Sequence, residues 1–146
     1  MQMQVQGMQA VQNIMNVVSA KVSSTKSSVV QDLGRKAVPV AKERTPRDTG
    51  ALQASIHLTT LTDTPVTTTV EVVAGSPDIS RGVGAYTYNR SGVQVDAKPT
   101  SEYAAEVELG IGKYPSKQKG FMINTADWVR SHVEKDFIDA LRKVLG

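Results

Sequence analysis

The chain has 146 residues, no cysteine, two histidines and a formal net charge of +3. That length fits a single domain, residues 1–146, able to bury its own core, and the missing thiols exclude disulfide staples and thiolate metal sites. No apolar run approaches a membrane span and MQMQVQGMQAVQ lacks the basic leader and apolar core of a signal peptide, so a soluble protein made in the cytoplasm is expected.

The charge is unevenly spread. Residues 1–47 carry seven Lys and Arg against two acids, Asp32 and Glu43, a balance of +5, whereas residues 48–146 carry ten against twelve, a balance of −2. Such asymmetry marks either a surface facing nucleic acid or a solvated helix face. Four Tyr, two Phe and one Trp are too few to build a stacking platform for single strands.

In chain order, apolar residues at Met8, Val11, Ile14 or Met15, Val18 and Val22 recur at spacings of three and four, which predicts a helix. The run Ser23-Ser24-Thr25-Lys26-Ser27-Ser28 is a poor helix former and is expected to break or loosen it, leaving residues 1–28 as a helical extension. The pattern resumes through Val29, Val30, Leu33, Ala37, Val40 and Ala41; Pro39 should kink this segment, and Thr45-Pro46 should end it. Pro46-Arg47-Asp48-Thr49-Gly50 reads as a turn, with Gly50 free to take positive φ and Asp48 or Thr49 able to bond nearby amides.

Ser55–Leu61 and Val66–Ala74 alternate as strands joined through Thr62-Asp63-Thr64-Pro65, a hairpin with Ile56 and Leu58 on one face and Val66, Val70 and Val72 on one face of its partner. Residues 75–101 are rich in Gly, Ser and Pro; within them Tyr86-Thr87-Tyr88 and Val93-Gln94-Val95 flank a turn near Ser91-Gly92. A lone hairpin is marginal in water, so Tyr86, Tyr88, Arg90, Val93 and Val95 are expected to be ordered against a neighbouring subunit or another protein, with a plain surface loop as the alternative. Tyr103–Leu109 reads as a further strand, closed by Gly110-Ile111-Gly112. Ala126, Val129, Val133, Phe137, Leu141 and Val144 define one face of a final helix, with an N-cap box at Asn124 and Asp127 and Phe137 and Leu141 as core residues on the sheet. The sum is an α+β fold: an antiparallel sheet covered by a long N-terminal and a C-terminal helix, with a protruding hairpin.

Signatures of chemistry fail on inspection. Gly110-Ile111-Gly112-Lys113-Tyr114 lacks both the upstream glycine and the Ser or Thr of a phosphate loop. Glu106 and Glu108 could pair on one strand face, about 7 Å apart, but a polar sheet face explains them better. His57 and His132 read as an exposed strand position and a helix flank rather than ligands. No catalytic residue, cofactor or metal is expected.

Three blocks together carry a resemblance. Ala41-Lys42-Glu43-Arg44-Thr45-Pro46-Arg47-Asp48-Thr49-Gly50-Ala51-Leu52-Gln53-Ala54-Ser55-Ile56, then Tyr103-Ala104-Ala105-Glu106-Val107-Glu108-Leu109-Gly110, then Phe121-Met122-Ile123-Asn124-Thr125-Ala126 resemble the minor tail component, or tail-completion, family of long-tailed phages and prophages, over about residues 29–146. Gly120 stands where that family commonly has proline, and residues 75–101 run longer than its usual middle. The resemblance carries Pro46, Asp48, Thr49, Gly50, Glu108 and Gly110 as turn and fold residues. It implies a virion protein, assembled in the host cytoplasm, that forms a homo-oligomeric ring, six-membered by expectation, at the head-proximal end of the tail. Such a ring would touch the tail tube protein and the head–tail connector and pass genome DNA through its lumen without reading sequence, with Lys36, Lys42 and Arg44 as lumen-facing residues. The alternatives are another neck or adaptor ring of the same machine and a small basic DNA-binding protein using residues 21–47.

Overall fold

A computed structural model describes residues 8–46, 50–79, 87–88, 94–95, 98–111 and 119–146. The longest element, α1 (Met8–Arg44), is one unbroken helix. The serine run does not interrupt it, because the tip of the following hairpin supplies partners for its side chains. Ser23 Oγ donates to the carbonyl of Pro65 at 2.8 Å, Lys26 Nζ to those of Thr64 and Pro65 at 2.8 and 3.2 Å, and Ser27 Oγ lies 2.9 Å from both carboxylate oxygens of Asp63. Tertiary contacts here outweigh weak intrinsic propensity. Pro39 sits inside the helix on its exposed side, where water can reach the Arg35 carbonyl that loses its donor.

A short helix missing from the expectation, α2 (Ala51–Ser55), follows the turn. It claims Ser55 from the expected strand, so β1 begins at His57 and runs to Asp63, pairing antiparallel with β2 (Thr68–Val73). The register shifts between Thr60 and Thr62, and Leu61, at that irregularity, is 56% exposed. Beyond β2, the two-residue strands β3 (Thr87–Tyr88) and β4 (Gln94–Val95) pair antiparallel as Thr87 with Val95 and Tyr88 with Gln94. This is the expected small hairpin; its proposed Ser91-Gly92 turn lies outside the described residues.

The segment expected as a strand at Tyr103–Leu109 is instead helix α3 (Thr100–Leu109). Its buried residues are Thr100, Tyr103, Ala104 and Val107, the i, i+3, i+4 and i+7 positions of a helix face, and Ala and Glu favour the helix over the strand. Glu106 and Glu108 therefore do not share a strand face. The α3 amides find partners in the chain leaving β2: Thr100 N donates to the Ile79 carbonyl at 2.8 Å and Ser101 N to the Ser76 carbonyl at 3.3 Å. These bonds satisfy groups that a helix start leaves open.

Helix α4 (Phe121–Leu145) packs against α1 rather than on the sheet. Its fully buried residues are Phe121 and Thr125. Phe137 and Leu141 are half-buried and Val133 is 42% exposed, so the expectation that Phe137 and Leu141 form a core on the sheet is corrected. The apolar periodicity identified a face but not what it meets. Among the described elements, only α1 packs extensively on β1 and β2. Gly34 makes that approach close: a Cβ there would stand 2.6 Å from Leu58 Cδ1 and 3.0 Å from Val70 Cγ2. The fold is α+β, a long N-terminal helix and a C-terminal helix with a two-stranded antiparallel sheet.

Candidate functional site

The residues of the three sequence blocks come together in one place. Ala41, Leu52 and Ile56 from the first meet Tyr103, Ala104 and Val107 from the second and Phe121 from the third in a single buried cluster. Phe121 and Ile56 are among its largest fully buried side chains. Thr45, also buried, donates its hydroxyl to the Ala41 carbonyl at 2.6 Å and closes the end of α1. Gly50 takes φ 82° at the start of α2, the positive φ expected of it, and its carbonyl accepts from Ala54 N at 3.0 Å. Pro46 is half-buried just before the turn, and Arg47, Asp48 and Thr49 lie outside the described residues.

Glu108 does something the sequence did not reveal. Its two carboxylate oxygens accept from Met122 N at 2.9 Å and Ile123 N at 3.0 Å, capping the first turn of α4. A negative group there also suits the helix dipole. Its own carbonyl accepts from Gly120 N at 2.8 Å, and Gly120, with φ 76°, is the cap residue of α4. The expected Asn124–Asp127 cap is thereby replaced: Asn124 is already inside the helix and its amide bonds the Gly120 carbonyl at 2.8 Å. Gly110, φ 65°, ends α3, with its amide on the Val107 carbonyl at 3.2 Å and that of Ile111 on Glu106 at 3.0 Å, the paired bonds of a Schellman turn. Glu106 pairs with Lys98 at 3.6 Å. The blocks thus fix a junction of α1, α2, α3 and α4; each motif residue described there serves geometry.

The remaining predicted residues are scattered. Lys36 forms an ion pair with Asp136 of α4 at 3.1 Å, and Arg44 donates to the Asn124 carbonyl. Lys42 is half-buried, its carbonyl accepting from Gln53 Nε2 at 2.7 Å. Tyr88 and Val95 fall in β3 and β4; Tyr86, Arg90 and Val93, and the side chains of Tyr88 and Val95, lie outside the described residues. His57 is exposed. His132 stacks on Trp128 with ring centroids 4.3 Å apart, its Nδ1 2.8 Å from the Trp128 carbonyl. Among the described residues, no group of three or more His, Cys, Asp or Glu could hold a metal ion, and no helix is long and apolar enough to cross a membrane.

Two surfaces went unrecognised in the sequence. At the hairpin tip, Asp63 accepts from Ser27 and from Thr68, the latter at 2.9 Å; the Ser27 and Thr68 hydroxyls, with Lys26 nearby, hold its carboxyl below the usual carboxylate range. And every residue from Met8 to Lys21 is exposed, so the first turns of α1 project beyond the domain with Met8, Val11, Ile14 and Met15 each 60% or more exposed.

Residues 9–110, more than half of the chain, match the HK97-gp10-like family, described as "Bacteriophage HK97-gp10, putative tail-component". The chain belongs to that family of bacteriophage tail components. The match takes in the projecting turns of α1 and both the first and second sequence blocks, and it stops at Gly110, short of the block that opens α4. It therefore starts earlier than the resemblance at residue 29 had suggested. No curated relative and no solved structure matches the chain.

Proposed function

We propose that the protein assembles into a closed ring, six-membered by expectation, at the head-proximal end of the phage tail, where it completes the tube and joins it to the head connector. The observation that carries this reading is the pairing of family membership with a site whose described residues fix the fold: the three blocks converge on a buried junction, two of them within the family match, while broad apolar surface remains outside. A tail component of this kind acts by presenting surfaces to copies of itself and to its neighbours, a structural role without chemistry. Closed rings arise from head-to-tail interfaces. Genome DNA crossing the lumen presents only phosphates, so contact is blind to sequence. Of the basic residues assigned to that lumen, Lys36 is neutralised by Asp136, whereas Arg44 donates to a carbonyl and keeps its charge; with Lys42 it is the better phosphate contact.

The same features suit another neck or adaptor ring of the tail machine. A small DNA-binding protein using residues 21–47 is less well served, because Arg35 and Lys36 are already paired with Asp32 and Asp136. Light scattering of the purified chain with and without DNA separates the classes. A ring-sized mass without DNA is the expected result; a monomer or dimer that binds DNA at moderate salt would replace the ring reading with the DNA-binding one.

A further inference from the structure

Helix α1 is one continuous element held in two different ways. From Val29 onward it is anchored by burial: Val29, Leu33, Gly34, Ala37 and Ala41 are all buried. From Met8 to Lys21 every residue is exposed. Between the two halves lies the run Ser23–Ser28, a stretch of weak helix formers whose one buried member is Thr25. Little in the projecting half sustains a helix by itself. Seven of the fourteen residues from Met8 to Lys21 are Val, Ile, Asn or Ser, all poorer helix formers than Ala or Leu. Residues 8–20 carry no charged side chain, so no ion pair one turn apart supports them. A helix this short is marginal in water even when rich in alanine, and its first turn is costly to form. The projecting half must therefore grow from a turn that is already in place.

That turn is the serine run, and the tip of the β1–β2 hairpin holds it. Ser23 Oγ and Lys26 Nζ donate to the Pro65 carbonyl at 2.8 and 3.2 Å, and Lys26 Nζ also to that of Thr64 at 2.8 Å. Ser27 Oγ donates to the Asp63 carboxylate at 2.9 Å and Gln31 Nε2 to the same group at 3.4 Å. Residues 23, 26, 27 and 31 are the i, i+3, i+4 and i+8 positions of one helix face, so the tip grips one side of α1 over about two turns. The tip is itself braced. Thr64 N donates to the Thr67 carbonyl at 2.8 Å, Thr67 N to Thr64 Oγ1 at 2.9 Å, and Thr68 Oγ1 to Asp63 at 2.9 Å. Without these partners the serine hydroxyls turn to the backbone of α1, as Ser24 Oγ already does at the Lys21 carbonyl, 3.0 Å away. Such bonds loosen a helix.

We infer that the hairpin tip is a latch for an N-terminal arm. Residues 8–28 are helical and held in line with the domain while the tip grips the serine run, and they lose their helix together when it lets go. The coupling is reciprocal: whatever holds the arm helical also tightens the tip, and whatever pulls the tip away loosens the arm. The latch is a property of a single chain and does not depend on the ring reading.

Two proteins test it. In the first, Asn-Gly replaces residues 63–68 between Thr62 and Thr69, which are paired across the strands; Asn-Gly closes a two-residue hairpin turn of this kind. The second has the same shortened hairpin together with Ser23→Ala, Ser24→Ala, Ser27→Ala and Ser28→Ala, which raise helix propensity without restoring the grip. Circular dichroism and the melting temperature report helix content and folding, and hydrogen exchange read by mass spectrometry reports where helix is lost. In the first protein, amides of residues 8–28 should exchange at least about tenfold faster than in the wild type while those of 33–44 stay within about twofold. In the second, residues 8–28 should regain their protection. Wild-type protection of residues 8–28 in the first protein overturns the inference, because the arm then stands unaided. Loss confined to residues 23–28 overturns it too, since the arm would not behave as a unit. Loss that the alanines do not repair assigns the order of the arm to contacts other than the grip on the serine run, and also overturns it. Asp63→Ala, which leaves the hairpin at full length, should repeat the first pattern in weaker form, and unchanged exchange over residues 8–28 in that variant counts equally against the latch.

Discussion

Glu108 shows how a single side chain can carry a family motif without any chemistry. Its carboxylate joins the last turn of α3 to the first turn of α4 through the amides of Met122 and Ile123. Helix caps are worth about 0.5–2 kcal/mol, so Glu108→Ala should lower stability by about 1–2 kcal/mol in chemical denaturation, with Glu108→Gln recovering only part because it keeps one acceptor oxygen and loses the charge. An unchanged midpoint for Glu108→Ala would remove this cap from the account. Phe121 is 1% exposed in the cluster where the blocks meet, and Phe137 is only half-buried on α4. Phe121→Ala should therefore cost about 3–5 kcal/mol, the range for a buried Phe, and Phe137→Ala distinctly less. Equal losses on thermal melting would show that the α4 face is as tightly packed as the junction, which its exposure argues against.

The elements differ in how far the sequence disclosed them. The β1–β2 hairpin was legible because Val and Thr alternate over enough residues to fix a period of two, and α1 and α4 because their apolar spacing of three and four persists over many turns. The segment Tyr-Ala-Ala-Glu-Val-Glu-Leu was not, since its apolar residues at 103, 104, 105, 107 and 109 satisfy both periods, and the Ala and Glu content that favours helix was the discriminating signal. Five-residue α2 is too short for any period to show. The serine run was misread because its stabilising partners lie some forty residues away, at the hairpin tip. That contact has a pH signature. Asp63 titrates below the usual carboxylate range because of its bonds to Ser27 and Thr68, so the link between α1 and the hairpin tip is at full strength above the unfolded carboxyl pKa, near 3.8, and weakens as pH falls through the folded value below it. Hydrogen exchange at the tip, residues 63–68, should accelerate more steeply below about pH 4 in the wild type than in Asp63→Asn, which already lacks the charge. Parallel profiles for the two proteins would rule the clasp out.

On the scale of the whole molecule, the candidate site was legible only as fold. The turn residue Gly50 and the expected strand end Gly110 both take positive φ, but the structure uses them to shape a helical junction, and the surfaces proposed to meet other proteins carry no short motif at all. An interface is a property of exposed area, and one chain read alone gives no view of what is exposed. The hairpin of β3 and β4 is a segment proposed to meet a neighbour. Replacing residues 82–96 with a short Gly linker should leave the melting temperature of the domain nearly unchanged, because the buried cluster lies elsewhere, while folded monomers accumulate and tails no longer join heads. Normal ring assembly and joining by that deletion would reduce the segment to a surface loop. The account's central claim, a ring that completes the tail and joins it to the head, is tested most directly by electron microscopy of phage particles made without this protein. The predicted picture is DNA-filled heads separate from tails, with tails of irregular length where termination has also failed. Tails of uniform length attached to filled heads would contradict it.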